Sequence, residues 1–195
     1  MSRSDEFIAE ICREFPGFCI IPKRESRLSR LIDVLLKLLT LGAQREFMTR
    51  YHTVLWDRLY VPELWERTPD LSRLITLRHE RIHLRQRRRY GDWWMTFLYL
   101  VPFFPVGLAY GRARIEWEAY TETIRATAEV RGVAAARALR PEIVRRFVSP
   151  DYGWMWPFRS TVERWFDAVI DGLDDSPIPK PGDGPTRGDK KGDGD

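Results

Sequence analysis

The stretch LRHERIHLRQ, residues 77–86, contains two of the three histidines of the chain, His79 and His83, with Glu80 between them. On an α-helix, positions 79 and 83 are one turn apart and face the same way, so two imidazoles can meet one metal ion. The arginines of this stretch lie mainly on other sides of the helix, and solvation alone therefore does not explain two histidines on its inward side. The pattern predicts a metal site on this helix.

The surrounding sequence, TPDLSRLITLRHERIHLRQRRRYGD, predicts the boundaries of the helix. Thr68 or Asp70 can cap its beginning, Pro69 suits a first helical turn, and Gly91 ends it. Within this helix Glu80 projects from the side next to the histidines. From there it can take a proton from a metal-bound water and pass it to a leaving amine.

A catalytic zinc site takes three protein ligands plus water, so a third ligand is required. His52 lies upstream on a predicted strand, and a carboxylate on a second helix is the better candidate. The stretch EWEAY, residues 116–120, offers Glu116 and Glu118, which project about 200° apart on a helix. Glu118 shares its side with charged residues typical of a solvated face, whereas Glu116 shares its face with small residues that allow close packing. We therefore predict that Glu116 is the third ligand.

The HExxH sequence HERIH, followed roughly thirty residues later by EWEAY, resembles the gluzincin metallopeptidases. That group includes thermolysin, the minigluzincins and the membrane-embedded endopeptidases that process prenylated proteins. The resemblance covers mainly residues 47–125. It implies a zinc-dependent metallopeptidase, a protease that hydrolyses peptide bonds through a glutamate-activated zinc-bound water. One zinc ion per chain would be held by His79, His83 and Glu116, and Glu80 would be the general base and acid.

The sequence departs from one branch of these peptidases at Tyr120. In the prenyl-protein-processing branch, the third ligand is followed by two residues and then Ala-Asp, and that Asp hydrogen-bonds a ligand histidine. The Tyr120 hydroxyl is a candidate to replace the Asp. Gluzincins usually add a Tyr or His that stabilises the oxyanion. His52, Tyr120 and Tyr152 are the candidates here, and packing in the core or in a strand is the alternative for each.

The remaining patterns predict an α+β, mainly α fold, with a zincin-like core and a small β-sheet before the active-site helix. Residues 47–61 are rich in β-branched and aromatic residues and predict two short strands about a turn at Trp56-Asp57. We expect three parts: N-terminal helices in residues 1–45 that pack on the core, a zincin-like metallopeptidase domain in residues 46–173, and a disordered tail in residues 174–195. Residues 28–42, LSRLIDVLLKLLTLG, predict a core helix with an apolar stripe made of Leu31, Leu35, Leu38 and Leu39. The alternative for this helix is a membrane surface.

The segment WWMTFLYLVPFFPVGLAYG, residues 93–111, is apolar over nearly its whole length. Pro102, Pro105 and Gly107 would break a single membrane-spanning helix, so a buried helix followed by a bend is expected. Membrane contact through residues 93–111 is the alternative. The first residues mix acids and bases and indicate no signal peptide, so a cytoplasmic protein is expected, with membrane association left open.

The charge and composition of the chain bear on its expected partners. The net charge of the chain is +4, but its arginines are scattered among nearly as many carboxylates, so we expect no specific nucleic-acid binding. The expected partner is a peptide or protein substrate, and the oligomeric state is left open. Two alternatives to a soluble peptidase remain at this point: a catalytically inactive zincin-like scaffold or interaction protein in a larger assembly, and a membrane-associated peptidase.

Overall fold

The computed structural model describes residues 1–39, 48–49, 52–95, 108–149 and 155–174. Within these residues the chain is mainly helical with one small sheet, which confirms the α+β, mainly α fold class. In chain order the elements are α1 (Arg3–Glu14), β1 (Cys19–Pro22), α2 (Arg27–Leu39), β2 (Thr53–Leu55), β3 (Arg58–Val61), α3 (Asp70–Tyr90), α4 (Leu108–Arg131), α5 (Val133–Ala138), α6 (Arg140–Val148) and α7 (Arg159–Asp174). Short 3-10 turns occupy Lys23–Glu25 and Glu63–Arg67.

The sheet has the strand order β1-β3-β2 and contains a hairpin at the predicted turn. Strands β2 and β3 are antiparallel, with Val54 opposite Leu59, and Trp56 in the turn has a positive φ of 53°. Strand β1 pairs in parallel with β3 and was not predicted, because its four residues are too few to give an alternating pattern. The N-terminal segment therefore contributes a strand to the sheet that precedes α3, in addition to helices.

Helix α3 begins at Asp70 and ends before Gly91, as its sequence predicts, but its capping is different. Its N-cap residue is Pro69, and no side chain caps the helix there, so the predicted caps are wrong. The Asp70 carboxylate instead accepts hydrogen bonds from the backbone N–H groups of Arg3 and Ser4, at 3.2 and 3.1 Å. A residue at the start of α3 therefore satisfies the free donors at the start of α1.

Helices α3 and α4 pack against each other between two apolar clusters. One cluster joins α1 and the sheet to α3, and its buried members are Ile11, Phe15, Phe18, Leu59, Val61, Trp65, Leu77 and Leu84. The other joins α4 to α6 and α7 and includes Trp117, Tyr120, Ile124, Phe147, Val162 and Phe166. Each of the two central helices is thus held from its outer side by a separate core, which fixes how their facing sides meet.

The predicted core stripe of α2 is wrong for Leu31, which is 56% exposed. The buried residues of this helix include two polar ones, Ser29 and Asp33. The reason lies in the preceding 3-10 turn, where the ammonium group of Lys23 is buried and interacts electrostatically with Asp33. This attraction favours the orientation of α2 in which Asp33 faces inward. The side chains predicted at positions 35, 38 and 39 lie outside the described ones.

Several expectations fall partly outside the described residues. The expected buried helix in residues 93–111 is wrong at its beginning, because Trp93 is 90% exposed and Trp94 is 52% exposed. Residues 96–107, Tyr152 and residues 175–195 of the expected tail are not among the described residues. Among the helices that are described, none has both the length and the apolar character needed to cross a bilayer.

Candidate metal centre

Three predicted ligands come together where α3 faces α4. His79 and His83 project from α3 and Glu116 projects from α4. The two histidine Nε2 atoms are 3.2 Å apart, and Glu116 Oε2 lies 3.9 Å from His79 Nε2 and 3.7 Å from His83 Nε2. Ligand atoms about 2.1 Å from a tetrahedral zinc ion are about 3.4 Å apart. The observed separations are therefore close to those of a zinc site.

The other ring nitrogen of His79 is held by a hydroxyl group on α4. His79 Nδ1 lies 2.9 Å from Thr123 Oγ1, and this hydroxyl donates its own hydrogen to the carbonyl oxygen of Ala119 at 3.2 Å. Because the hydroxyl hydrogen is used, Thr123 accepts a hydrogen bond from the Nδ1–H group of His79. That assignment leaves the lone pair of Nε2 directed at the cluster. Burial and the charges of His83 and Arg146 hold the pKa of His79 well below its usual value, which favours the neutral imidazole that binds metal.

His83 is held in the same way by an amide group on its own helix. Its Nδ1 atom lies 2.9 Å from Gln86 Oε1. The amide nitrogen of Gln86 donates to the carbonyl oxygen of Ile115 at 3.0 Å and to Glu118 Oε2 at 2.9 Å. These two acceptors fix which end of the amide is the oxygen, so His83 must donate from Nδ1 and also keeps its Nε2 lone pair for the cluster.

The donor set fits a divalent metal ion of the zinc type. Two lone pairs and one carboxylate oxygen converge at less than 4 Å, and the hydrogens that could separate them are committed to Thr123 and Gln86. Converging acceptors repel one another unless a cation lies between them. Imidazole nitrogens with one carboxylate are the ligands that zinc accepts in hydrolytic sites, where water takes the fourth position.

Glu80 is buried next to this cluster, with 7% of its surface exposed. Burial is the main cause that raises the pKa of its carboxyl group to about 7, and the neighbouring Glu116 raises it further. The charges of His83 and Lys23 act in the opposite direction. A carboxyl group with a pKa near neutrality can both accept and return a proton at physiological pH.

Lys23 is one charged residue near this site that the sequence did not reveal, and Arg146, whose charge acts on His79, is another. Lys23 is 1% exposed, and burial lowers its pKa to about 7, while Glu80 and Asp33 oppose that shift. It comes from the 3-10 turn after β1, which is about 57 positions away from Glu80 in the chain. Its sequence context, IPKRES, is an ordinary basic stretch and carries no signal of burial.

The candidates for oxyanion stabilisation have different surroundings. His52 precedes β2, packs edge-on against Trp65 with ring centroids 5.3 Å apart, and has a buried Nε2 atom without a hydrogen-bond partner among the described residues. Burial, followed by the charges of Lys23 and Arg146, lowers its pKa to about 4. His52 also contributes to the electrostatic environment of His79, and it therefore lies in the neighbourhood of the cluster.

Tyr120 packs its ring edge-on against His79, with centroids 4.9 Å apart. Its hydroxyl accepts a hydrogen bond from Arg146 Nη1 at 3.1 Å. Thr123 and Gln86 make the hydrogen bonds to the ligand histidines that were expected of residue 120. The positions of Thr123 and Gln86 could have been recognised from the sequence. Thr123 lies on the same helix face as Glu116, and Gln86 follows His83 by three residues on the same side of α3.

The arrangement defines a class of site, a candidate metal centre made of two histidines and one carboxylate on two packed helices. Comparison of the chain with protein-family models, with curated proteins and with solved structures found no match.

Proposed function

We propose that the protein is a zinc-dependent metallopeptidase of the gluzincin type, with one zinc ion per chain held by His79, His83 and Glu116. The observation that carries the proposal is the convergence of the three acceptor atoms while both Nδ1 atoms are occupied by hydrogen bonds. The neighbouring Glu80 adds the proton carrier that hydrolysis needs.

Bound zinc would supply Lewis acidity toward the peptide carbonyl group and would lower the pKa of the attacking water. Glu80 moves the proton. As a carboxylate it accepts a proton from the water whose oxygen bonds to the carbonyl carbon, and it then donates that proton to the amine nitrogen as the C–N bond breaks. The nearby positive charge of a dication would lower its pKa from about 7 and favour the carboxylate before attack.

His52 is the described residue best suited to stabilise the developing oxyanion. Its low pKa keeps the imidazole neutral at physiological pH, and its Nε2 atom has no other hydrogen-bond partner among the described residues. A neutral imidazole that carries its hydrogen on Nε2 can donate to an oxyanion without prior loss of a proton. Tyr120 would instead act as a positioning residue, because its ring supports His79 and its hydroxyl is bonded to Arg146.

Elemental analysis of the dialysed protein tests the metal site. We expect one zinc ion per chain in the wild type and in Glu129→Ala, a control on the same helix whose side chain is 55% exposed. Glu116→Ala should lose zinc. Glu118→Ala should keep the site but bind zinc less tightly, because it removes an acceptor that orients Gln86. A folded wild type without zinc would contradict the proposal and favour the inactive-scaffold alternative.

Glu80→Gln tests the chemistry separately from metal binding. This variant should keep one zinc ion per chain and lose hydrolysis of a mixed peptide library, with products followed by mass spectrometry. The amide has the shape of the carboxylate but cannot carry the proton. Hydrolysis at the wild-type rate in this variant would contradict the role of Glu80 as proton carrier, even if zinc were bound.

A further inference from the structure

In the described part of helix α2, two polar side chains face the protein and two apolar side chains face outward. Ser29 and Asp33, one turn apart, are 2% and 8% exposed. On the opposite side, Leu31 and Val34 are 56% and 52% exposed. A helix on a water-soluble surface normally has the reverse arrangement, with its apolar stripe on the core.

The surroundings of the inward-facing residues oppose a rotation of the helix that would bury Leu31. Ser26 caps α2 by accepting a hydrogen bond from the backbone N–H of Ser29 at 3.1 Å. Lys23 is buried directly before the helix, and Asp33 contributes the negative charge that favours its ammonium form. A turn of α2 that buried Leu31 would expose Asp33 and leave Lys23 buried without that charge.

Two arginines border the exposed apolar side. Arg27 and Arg30 are both exposed, and neither pairs with a carboxylate in the part of the chain that the structure describes. Two apolar side chains next to two guanidinium groups fit a bilayer surface, where an apolar acyl-chain region lies beside a layer of phosphate groups. The acyl-chain boundary accepts leucine and valine, while the phosphate groups of anionic lipids accept arginine.

The end of α3 has an exposed surface of similar composition. Trp93 is 90% exposed and Trp94 is 52% exposed, and both follow the arginine-rich last turn of the helix. Tryptophan is favoured at membrane interfaces because its ring is apolar and its N–H group needs a polar partner. The protein therefore exposes apolar side chains beside arginine at two separate places.

We infer that the outer face of α2, defined by Arg27, Arg30, Leu31 and Val34, docks onto an anionic phospholipid bilayer, with the helix lying in the plane of the interface. The occupant follows from charge complementarity, since the face combines apolar side chains with cations that have no carboxylate partner among the described residues. The inference goes beyond the proposed peptidase activity and does not depend on it.

Vesicle flotation of the full chain tests the inference. The wild type should float with phosphatidylcholine vesicles that contain phosphatidylglycerol, and should bind pure phosphatidylcholine more weakly. Leu31→Asn/Val34→Asn should bind the anionic vesicles on the order of tenfold more weakly, because it removes apolar area from the interface. Leu64→Asn is the matched control, as Leu64 is 59% exposed on another element, and it should bind as the wild type does.

A second pair of variants tests the charges. Arg27→Gln/Arg30→Gln should lose the preference for anionic vesicles, whereas Arg13→Gln/Arg164→Gln, which changes two exposed arginines elsewhere, should retain it. Because these four positions are exposed, this comparison stays informative even if Leu31→Asn/Val34→Asn fails to fold.

Each contrary outcome would overturn the inference. One such outcome is that the wild type binds neither kind of vesicle. Another is that the wild type and Leu31→Asn/Val34→Asn bind the anionic vesicles equally well. If that variant loses self-association seen in the wild type while vesicle binding is unchanged, the face belongs to a second copy of the chain. If it loses thermal stability while vesicle binding is unchanged, another part of the chain covers the face.

Discussion

Replacing Thr123 by valine removes one hydroxyl group beside the candidate metal centre and keeps the shape of the side chain. The hydroxyl accepts the hydrogen bond from His79 Nδ1 at 2.9 Å. Without it, a mostly buried N–H group loses a partner, which costs about 1–3 kcal/mol. The imidazole also loses the contact that directs its Nε2 lone pair at Glu116 and His83.

We expect zinc affinity to fall by about 10- to 100-fold, which corresponds to about 1.4–2.8 kcal/mol. The carbonyl oxygen of Ala119 also lies within hydrogen-bond reach of His79 and can take over part of the role of Thr123. The effect should therefore be near the lower end, about tenfold. Gln86→Leu should cost more, because it also leaves Ile115 O and Glu118 without their donor.

Competition between the apo protein and a chromophoric zinc chelator at neutral pH measures the affinity. Thr123→Ser keeps the hydroxyl group and should restore most of the wild-type affinity. Thr127→Val is the matched control, because Thr127 lies one turn further along α4 and donates to the carbonyl oxygen of Thr123 at 2.8 Å without contributing to a histidine. Wild-type affinity in Thr123→Val, or an equal loss in Thr127→Val, would refute the hydrogen-bond argument.

Three further predictions concern groups around the site. His52→Leu should lower kcat by about 100-fold with little change in KM if His52 stabilises the oxyanion; an unchanged kcat in a peptide-hydrolysis assay would exclude that role. The folded pKa of Lys23, about 7, lies below its unfolded value of 10.5, so the free energy of unfolding of the wild type should rise between these two pH values. Lys23→Met should flatten that rise in urea denaturation, and a parallel pH dependence in the variant would contradict the assignment. Hydrogen bonds from Arg85 and Arg81 lower the pKa of Glu14 from 4.5 to about 2, so its contribution to stability is present above pH 4.5 and lost as the pH falls towards 2. Glu14→Gln should cost about 1–2 kcal/mol at pH 7 and much less near pH 2, as checked by thermal unfolding at both pH values.

The ligand histidines could be predicted because their relation is local. Residues i and i+4 of a helix share a face whatever surrounds the helix, and α3 forms where the sequence indicates. The choice of Glu116 over Glu118 was also accessible, because small residues flank the first and charged residues flank the second. The structure adds that Glu118 is not a purely solvated residue, since it accepts a hydrogen bond from Gln86.

The helices, the hairpin at Trp56 and the spacing of the candidate ligands could be predicted from the amino-acid sequence, because each depends on contacts within a few residues of the chain. The surroundings of those ligands depend on how distant segments pack, and the sequence did not predict them. In the folded protein, Lys23 from the turn after β1 lies near Glu80, and Thr123 of α4 lies within hydrogen-bond distance of His79 Nδ1. The Asp70 carboxylate accepts a hydrogen bond from the backbone of α1 and does not cap its own helix. The fold also left Leu31 of α2 exposed, against the expectation that this residue lies in the core. Periodicity shows that a helix has two sides, but which side is buried depends on the groups against which the helix packs. For α2, the buried Lys23 is one such group, and it attracts Asp33 to the inner side.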